Sequence, residues 1–243
     1  MCPALSLAIT GDYPPRHDAV GRQQYLFDDR VEAAYRLADA LDDYAGRSDT
    51  ILLSVSRGGA VVGKVLSERL GLPYYPLPVK LIEHPDLPHL HIGSMSAQRQ
   101  VILEDEIVRG MQLSKEKVDG LLDQAWEWLQ REQARYNIEV PQLTSLEGKT
   151  IVLVDDLIDS GDLMRNTVSH IKKGCPGSKV VVATPVCLAD NKRRLSAQAS
   201  ISVLAPSACV PSSSWFKLGP HPSEMDAAKL HEIYHSQDVE FGE

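Results

Sequence analysis

The sequence predicts an α/β protein built on an open, doubly wound and mainly parallel sheet. Three short apolar runs rich in β-forming residues, at 51–55, 150–154 and 180–185, have the composition of buried strands. Apolar residues at helical spacing follow each of the first two runs, and glycines lie between strand and helix. Strands that alternate with helices are typical of a parallel sheet covered on both faces.

The first part of the chain supplies one strand–helix–strand unit. After an irregular lead-in to about residue 22, apolar spacing indicates a helix that ends near Gly46. The next strand breaks at Arg57-Gly58-Gly59, and a helix capped by Gly71 follows. The predicted elements are a helix over 31–41, a strand over 51–55, a helix over 60–70 and a strand over 76–81.

The middle of the chain fits the core periods less well. Residues 83–110 contain Pro85, Pro88, Gly93 and Gly110, and a hairpin is predicted over 98–108. Such a stretch within an α/β chain is typical of a mobile lid or an insertion. A long amphipathic helix follows, with one apolar face formed by Val118, Leu121, Leu122, Ala125 and Leu129.

The last part of the chain resumes the alternation. A strand over 150–154, a helix over 163–171 and strands over 180–185 and 201–204 are predicted. We therefore expect one domain over residues 1–243. Within it, residues 83–110 are expected to form a flexible lid or insertion, and residues 205–243 a C-terminal hood or tail.

Composition limits the partners and the compartment. The formal net charge of −8 argues against a broad nucleic-acid surface, which needs clustered Lys and Arg. The cysteines form no CxxC pair, and no signal segment opens the chain, so free thiols in the cytoplasm are expected. No apolar run approaches the roughly 20 residues of a membrane span, so no membrane partner is expected.

Acidic and small residues cluster where the strand over 150–154 ends. Asp155, Asp156 and Asp159 follow the strand, and Ser160-Gly161 lead into the next helix. Ligands of open parallel sheets bind beyond the carboxyl ends of the strands, and a helix N-terminus favours phosphate. Carboxylates beside a phosphate site are suited to ribose hydroxyls, or to Mg²⁺ held through water. The segment therefore predicts a sugar phosphate bound with a metal ion.

Two segments carry a family resemblance. The run over 155–161, Asp-Asp-Leu-Ile-Asp-Ser-Gly, resembles the signature with which type I phosphoribosyltransferases bind 5-phosphoribosyl diphosphate (PRPP). Ser56-Arg57-Gly58-Gly59, after a strand, is similar to the pyrophosphate loop of that family. The resemblance runs from about Asp29 to Asp190. It is closest to bacterial phosphoribosyltransferases of uncertain substrate, which share the RGG loop and a long helix that ends in Arg-Tyr, here Arg135-Tyr136.

The resemblance implies an enzyme of the pentosyltransferase class, in which Mg²⁺ assists transfer of the 5-phosphoribosyl group from PRPP to a nitrogen acceptor, with release of pyrophosphate. Asp155 and Asp156 are expected to bind the ribose hydroxyls and, through water, the Mg²⁺ ion. Asp159 is the expected proton acceptor. A small-molecule acceptor and a homodimer are further family-level expectations.

The remaining implied contacts are with phosphate groups and with the acceptor. The 5-phosphate is expected at the loop formed by Asp159, Ser160, Gly161, Asp162 and Leu163. The pyrophosphate is expected at Arg57, Gly58, Gly59 and Lys80. Trp215 and Phe216 are candidates for stacking on the acceptor, with a core or rim position as the alternative.

Departures from the family pattern leave two other functions open. Leu163 replaces a common Thr that touches the phosphate, Asp162 adds a negative charge, and Val79 replaces an Arg of the nearest relatives. The changes at Leu163 and Val79 favour a catalytically inactive regulator that senses PRPP or nucleotides on the same fold. The retained residues Asp155, Asp156, Asp159 and Arg57 favour catalysis. A third possibility is a phosphate-binding α/β protein without PRPP, such as a phosphatase or a receiver-like module.

Histidines supply the other motifs. The segment over 231–235 matches HExxH, but its position near the end of the sequence favours a solvated helix face over a zinc site. His84, His89 and His91 are expected to be exposed in the lid, with a metal site as the weaker alternative. The run Asn191-Lys192-Arg193-Arg194 is interpreted as the solvated start of a helix.

Overall fold

A computed structural model describes residues 27–136 and 139–207. Its main sheet is entirely parallel, and its strands run in the order β2-β1-β6-β8-β9. The strands of this sheet are β1 (Thr50–Ser54), β2 (Tyr74–Pro76), β6 (Thr150–Val154), β7 (Leu157–Ile158), β8 (Lys179–Leu188) and β9 (Ser200–Ser207). Its helices are α1 (Arg30–Ala40), α2 (Arg57–Leu70), α5 (Asp162–Gly174) and α6 (Ala189–Ser196). The predicted doubly wound fold is confirmed.

The strand order changes direction between β1 and β6. These two strands pair in parallel along their full length, from Thr50 opposite Thr150 to Ser54 opposite Val154. The chain continues from β1 through α2 to β2 on one side, and from β6 through α5 to β8 on the other. A crevice opens at such a switch point beyond the carboxyl ends of the strands, and ligands bind there. The turns that follow β1 and β6 border this crevice.

Helices cover both faces of the sheet. One core lies between the sheet and helices α1 and α2, and it includes Leu37, Leu66 and Val152. The other lies between the sheet and α5, and it includes Leu153 and Val168. Within the described ranges, no helix is both long enough and apolar enough to cross a membrane.

A small antiparallel sheet occupies the region of the predicted lid or insertion. Its strands are β3 (Val79–His84), β4 (Leu87–Ser96) and β5 (Val101–Leu103), and they pair in the order β3-β4-β5. Two helices follow, α3 (Asp105–Gly110) and α4 (Lys115–Tyr136). The apolar face of α4 packs on this sheet through Ala125 and Leu129. The small sheet therefore begins at residue 79 rather than 83.

A buried polar network attaches the small sheet to α5. The Ser94 hydroxyl donates to Oδ1 of Asn166 at 2.7 Å and lies 3.0 Å from Nε2 of His170. The other ring nitrogen of His170 lies 2.8 Å from Oε1 of Gln100. Burial, together with the nearby charge of Lys173, lowers the pKa of His170 to about 4. The network is therefore neutral near pH 7.

Several predicted boundaries were wrong. The hairpin expected over 98–108 does not form, because residues 105–110 are helical and the reversals fall before β4 and before β5. The strand expected over 76–81 is divided, because Pro78 lacks the N–H of a ladder donor and separates β2 from β3. The helix expected over 60–70 begins earlier, at Arg57. Of the hood predicted over 205–243, residues 205–207 are the end of β9. Residues 208–243, including Trp215, Phe216 and the HExxH segment, lie outside the described residues.

Candidate active site at the strand switch point

The turn after β6 buries two carboxyl groups. Asp155 and Asp156 are 5% and 7% exposed. One oxygen of Asp155 accepts hydrogen bonds from the Ser56 hydroxyl and from the backbone N–H of Asp156. Burial, and then repulsion by the Asp156 carboxylate, raises the pKa of Asp155 well above its ordinary value. The buried turn therefore disfavours ionisation of Asp155 relative to an exposed aspartate.

The turn after β1 packs directly against these carboxyl groups. Ser56 caps α2, because its hydroxyl oxygen accepts the N–H of Gly59 at 2.9 Å. A Cβ atom on Gly58 would lie 2.3 Å from the carboxyl group of Asp156. One on Gly59 would lie 2.8 Å from a backbone oxygen of β6. Both glycines are therefore required by packing, and the two turns form one continuous site.

Two charged side chains from distant helices complete the site. Nε of Arg30, at the start of α1, donates to Oδ2 of Asp156 at 2.8 Å, and both side chains are mostly buried. Nη2 of Arg57 lies 2.8 and 2.9 Å from the two carboxylate oxygens of Glu132 on α4. The negative charge of Asp156 and the positive charge of Arg57 are thus each balanced from outside the two turns.

The phosphate loop, residues 159–163, is more open. Asp159 and Ser160 are exposed, and the Ser160 N–H donates to Oδ1 of Asp159 at 2.5 Å. Gly161 has a φ of +77°, a left-handed conformation that glycine adopts without strain, and it precedes the first turn of α5. A helix N-terminus of this kind favours an anion, and its Asp162 N–H donates to the Ser160 hydroxyl in this structure.

The extra carboxylate at the start of α5 is neutralised within the protein. Asp162 accepts a hydrogen bond from Arg165, and its Oδ2 lies 2.9 Å from Nδ1 of His91 on β4. Burial alone raises its pKa, but the contacts with Arg165 and His91 outweigh burial and leave the pKa below its ordinary value. His91 is therefore part of the site border rather than an exposed lid residue. His84 is buried as well, and only His89 is exposed as expected.

Asn191 supports the phosphate loop from behind. It is 6% exposed, and its side-chain amide donates to the backbone oxygen of Asp159. A Cβ on Gly161 would lie 3.0 Å from its side chain. The interpretation of Asn191 as part of a solvated helix start was therefore wrong, although Arg193 and Arg194 beside it are exposed.

Lys80 and Arg57 line two different cavities. Lys80 is the second residue of β3, and its Nζ lies 5.2 Å from the centre of the Trp128 ring. It lines a cavity between β3 and α4, together with Glu83 and Arg131. Leu163 and Val79 line a different cavity, with Arg57. The pyrophosphate contact of Lys80 remains a prediction.

The family is decided by the pattern that spans both turns. A family model described as a phosphoribosyl transferase domain matches residues 25–209. The chain belongs to this family. The matched range includes the Ser56–Gly59 turn, the Asp155-Asp156 pair and the phosphate loop, which are the segments that carried the resemblance in the sequence.

Relatives of this phosphoribosyl transferase domain are distant. Two proteins from Mycobacterium tuberculosis, one from strain H37Rv and one from strain CDC 1551, are named provisionally as phosphoribosyl transferases. Each is 29% identical over 161 residues, which cover 66% of this chain and 36% of the relative. The chain thus spans about a third of these relatives. TT1426 from Thermus thermophilus shares the fold at a TM-score of 0.72 and 24% identity, covering 86% of this chain and 97% of that one.

Sequence reasoning missed four residues of the site. Ser56 had a local signal, since a Ser before a helical pattern is a typical N-cap. Asn191, Arg30 and Glu132 had none, because a polar residue on a helix is ordinarily interpreted as solvated. Only the packing of α1, α4 and α6 around the switch point brings these three residues to the two turns.

Proposed function

We propose that the protein transfers the 5-phosphoribosyl group of PRPP to a nitrogen acceptor and releases pyrophosphate. One observation supports this proposal above the others. The Ser56–Gly59 turn and the Asp155-Asp156 turn are in contact at the switch point, through the Ser56–Asp155 hydrogen bond and the packing of Gly58 on Asp156. A single ligand can therefore touch both turns, as a molecule with a ribose and two phosphate groups requires.

Different residues of the site are suited to different groups of PRPP. The phosphate loop, with its helix N-terminus, is suited to the 5-phosphate. The carboxyl groups of Asp155 and Asp156 are suited to the ribose hydroxyls, which donate hydrogen bonds to carboxylates. Arg57 and the start of α2 are suited to the pyrophosphate. The ribose would then lie over the end of β6, between the two turns.

The reaction consists of one substitution at C1 of the ribose. The lone pair of the acceptor nitrogen forms a bond to C1 as the bond from C1 to the pyrophosphate oxygen breaks. The electrons of that bond leave with pyrophosphate, and the acceptor proton passes to a base, for which the exposed Asp159 is our candidate. The protein's contribution is orientation of the reactants and stabilisation of the separating charges.

A magnesium ion at this site would be coordinated partly by the protein and partly by the phosphate groups of the substrate. Among the described residues there is no cluster of three or more potential metal-ligating side chains. Oδ1 of Asp155 accepts from Ser56 and Oδ2 of Asp156 accepts from Arg30, and a carboxylate has further lone pairs that suit a metal ion or its bound water. Mg²⁺ binds in this manner to one or two carboxylates, water and substrate phosphates, and when bound it neutralises the charge of pyrophosphate.

A PRPP-binding regulator without catalysis is the second candidate. Leu163 favours it, because an apolar side chain stands at the phosphate loop and lines a cavity there. Loss of one hydroxyl contact costs about 1 kcal/mol of binding, which weakens a ligand without excluding it. Binding of PRPP therefore does not distinguish the two candidates, and release of pyrophosphate does.

The test measures binding and turnover separately. We expect calorimetric binding of PRPP only in the presence of Mg²⁺, and release of pyrophosphate with at least one member of a panel of nucleobases and amines. Asp156→Asn is expected to weaken Mg–PRPP binding about tenfold or more, because it removes a charge that orders Arg30 and the ribose.

Asp49→Asn is the matched control. Asp49 is an exposed carboxylate paired with Arg47. It precedes the amino end of β1, whereas the proposed site lies beyond the carboxyl end of that strand. Its substitution should leave Mg–PRPP affinity unchanged. Binding without pyrophosphate release from any acceptor would support the regulator, and absence of Mg–PRPP binding would refute both candidates.

A further inference from the structure

One histidine of the small sheet reaches the phosphate loop. Nδ1 of His91 on β4 lies 2.9 Å from Oδ2 of Asp162, the first residue of α5. We propose that His91 is a positioning residue for the 5-phosphate, because it holds the Asp162 carboxylate away from the helix N-terminus at which that phosphate would bind. The inference rests on the proposed function for the identity of the ligand, and on the contacts of Asp162 for the role of His91.

An aspartate at this position disfavours a phosphate unless its carboxylate is held elsewhere. The start of a helix attracts a carboxylate through the same N–H groups and the same dipole that attract a phosphate. Asp162 would therefore compete with the 5-phosphate if its side chain turned toward those groups. Its negative charge would also repel the phosphate at short range. The direction of this one side chain thus affects how well the loop accepts an anion.

Each carboxylate oxygen of Asp162 has a side-chain partner of its own. Oδ1 accepts a hydrogen bond from Arg165, one turn further along α5, and Oδ2 faces His91. The side chains of Asp162 and His91 are only 26% and 20% exposed. A carboxylate with a donor on each oxygen keeps its orientation better than one with a single donor. Its charge is thereby directed toward α5 and the small sheet.

The same strand also fixes the backbone of Asp162. The Ser94 hydroxyl on β4 donates to Oδ1 of Asn166 at 2.7 Å, and Nδ2 of Asn166 donates to the backbone oxygen of Asp162 at 3.0 Å. Strand β4 therefore reaches both the side chain and the backbone of this residue. Arg165 belongs to α5 and moves with Asp162, whereas His91 is fixed by a different sheet. His91 is thus the partner that can set the direction of the carboxylate relative to the loop.

The experiment is a calorimetric titration of the full chain with Mg–PRPP, ribose 5-phosphate and Mg–pyrophosphate. The first two ligands contain the 5-phosphate, and the third does not. We expect His91→Leu to weaken Mg–PRPP and ribose 5-phosphate binding about fivefold each, and to change Mg–pyrophosphate affinity by less than about twofold. His91→Asn, whose amide can donate in place of Nδ1, should recover most of the lost affinity.

A double-mutant cycle tests whether His91 acts through Asp162. Asp162→Asn removes the charge that His91 holds, so this variant should bind ribose 5-phosphate at least as tightly as the wild type. In the Asp162→Asn background, His91→Leu should weaken binding by less than about twofold. A general loss of packing around residue 91, or of a direct contact between His91 and the phosphate, would instead be similar in both backgrounds.

Two exposed positions supply matched controls. Asp190→Asn changes an aspartate in the first turn of α6 that is bonded to the arginine three residues later, as Asp162 is on α5. His89→Asn changes an exposed histidine two residues before His91. Neither should change the affinity for any of the three ligands by more than about twofold. Urea denaturation shows whether each variant is folded, and His91→Ala takes the place of His91→Leu if the latter is not.

Each alternative result has a defined meaning. The inference is overturned if His91→Leu leaves 5-phosphate ligands unaffected, weakens Mg–pyrophosphate equally, or weakens ribose 5-phosphate equally with and without the Asp162 charge. The proposed function stands in all three cases if the wild type binds Mg–PRPP and releases pyrophosphate. If ribose 5-phosphate binds with the expected cycle but Mg–PRPP does not bind, the proposed function fails and the role of His91 stands. If none of the three ligands binds, both are refuted.

Discussion

Two buried polar networks in this molecule differ in charge and in position. The ionic network, formed by Arg30, Ser56, Asp155 and Asp156, lies at the switch point between two turns. The neutral network, formed by Ser94, Gln100, Asn166 and His170, lies between the small sheet and α5. Both connect elements that are distant in the sequence. The ionic network lies within the proposed ligand site, whereas the neutral network reaches the phosphate loop through the bond from Nδ2 of Asn166 to the backbone oxygen of Asp162.

The ionic network is suited to binding a ligand, and the neutral network is suited to holding the small sheet against α5. Buried charges are costly unless paired, and the ionic network retains them where a ligand with hydroxyl and phosphate groups is expected. The neutral network satisfies polar groups without charge, which suits a permanent contact between two parts of the fold. Changes in the ionic network should therefore alter both binding and stability, and changes at His170 in the neutral network should alter stability much more than binding.

The largest expected effect follows removal of Arg30. Arg30→Met leaves Asp156 as a mostly buried carboxylate without its cation. We expect a loss of about 3 kcal/mol in the free energy of unfolding, measured by urea denaturation, and a loss of about tenfold or more in Mg–PRPP affinity. Arg30→Lys should recover part of both. If Arg30→Met lowers stability but leaves Mg–PRPP affinity unchanged, the ionic network is structural and does not differ in role from the neutral network.

The second effect is a dependence of stability on pH from the neutral network. His170 is neutral in the folded state down to about pH 4, whereas the unfolded residue takes up a proton near pH 6.5. The unfolded state therefore binds more protons between these values, and stability falls as the pH drops through this window. The expected slope is up to about 1.4 kcal/mol per pH unit.

Denaturation of the wild type and His170→Gln between pH 7.5 and 4.5 isolates this slope. The variant should lose it, while the exposed His89→Asn should retain it. Mg–PRPP affinity at pH 7.5 should be the same for all three proteins. Weaker binding in His170→Gln would show that the neutral network extends to the ligand site.

A smaller effect is expected from one methyl group at Gly58. In Gly58→Ala, the new Cβ would overlap the Asp156 carboxyl group, which is held in place by Arg30. We expect about 1 to 2 kcal/mol of destabilisation and weaker Mg–PRPP binding. Gly120→Ala on α4 is the control, because nothing lies within 4 Å of its Cβ position. It should stabilise the helix by about 0.5 to 1 kcal/mol.

The smallest expected effect tests whether the phosphate loop binds the 5-phosphate. Leu163→Thr adds a hydroxyl near the expected 5-phosphate and should improve Mg–PRPP affinity by about 1 kcal/mol, or fivefold. Leu163→Ala, which removes the same packing without adding a hydroxyl, separates the two contributions. Equal affinities for the Thr and Ala variants in calorimetry would place the 5-phosphate away from residue 163.

Much of the main sheet could be predicted from the sequence. The strand over 150–154 has the predicted bounds, because a continuous run of β-branched and aliphatic residues ends in two aspartates. The small sheet could not be predicted in this way. Buried Ser94 and Ser96 interrupt the apolar pattern of β4, and the non-glycine residue His89 has a positive φ. Its strands are specified by contacts with α4 and α5 rather than by local pattern.

The parts of the site that consecutive residues form could be predicted from the sequence. The Asp155-Asp156 pair and the phosphate loop are consecutive residues at a strand end, and the structure brings the Ser56–Gly59 turn beside the pair. The glycines of that turn concealed the start of α2, because glycine is a poor helix former and Ser56 compensates as a cap. Arg30 and Glu132 act through long-range packing, which no local pattern reveals.

The small sheet and α4 together form a single connection between β2 and β6. The parallel strands that hold the proposed PRPP site lie before and after this connection, and none lies within it. This one segment can therefore change in sequence and in length while the strands that hold the proposed PRPP site keep their pairing.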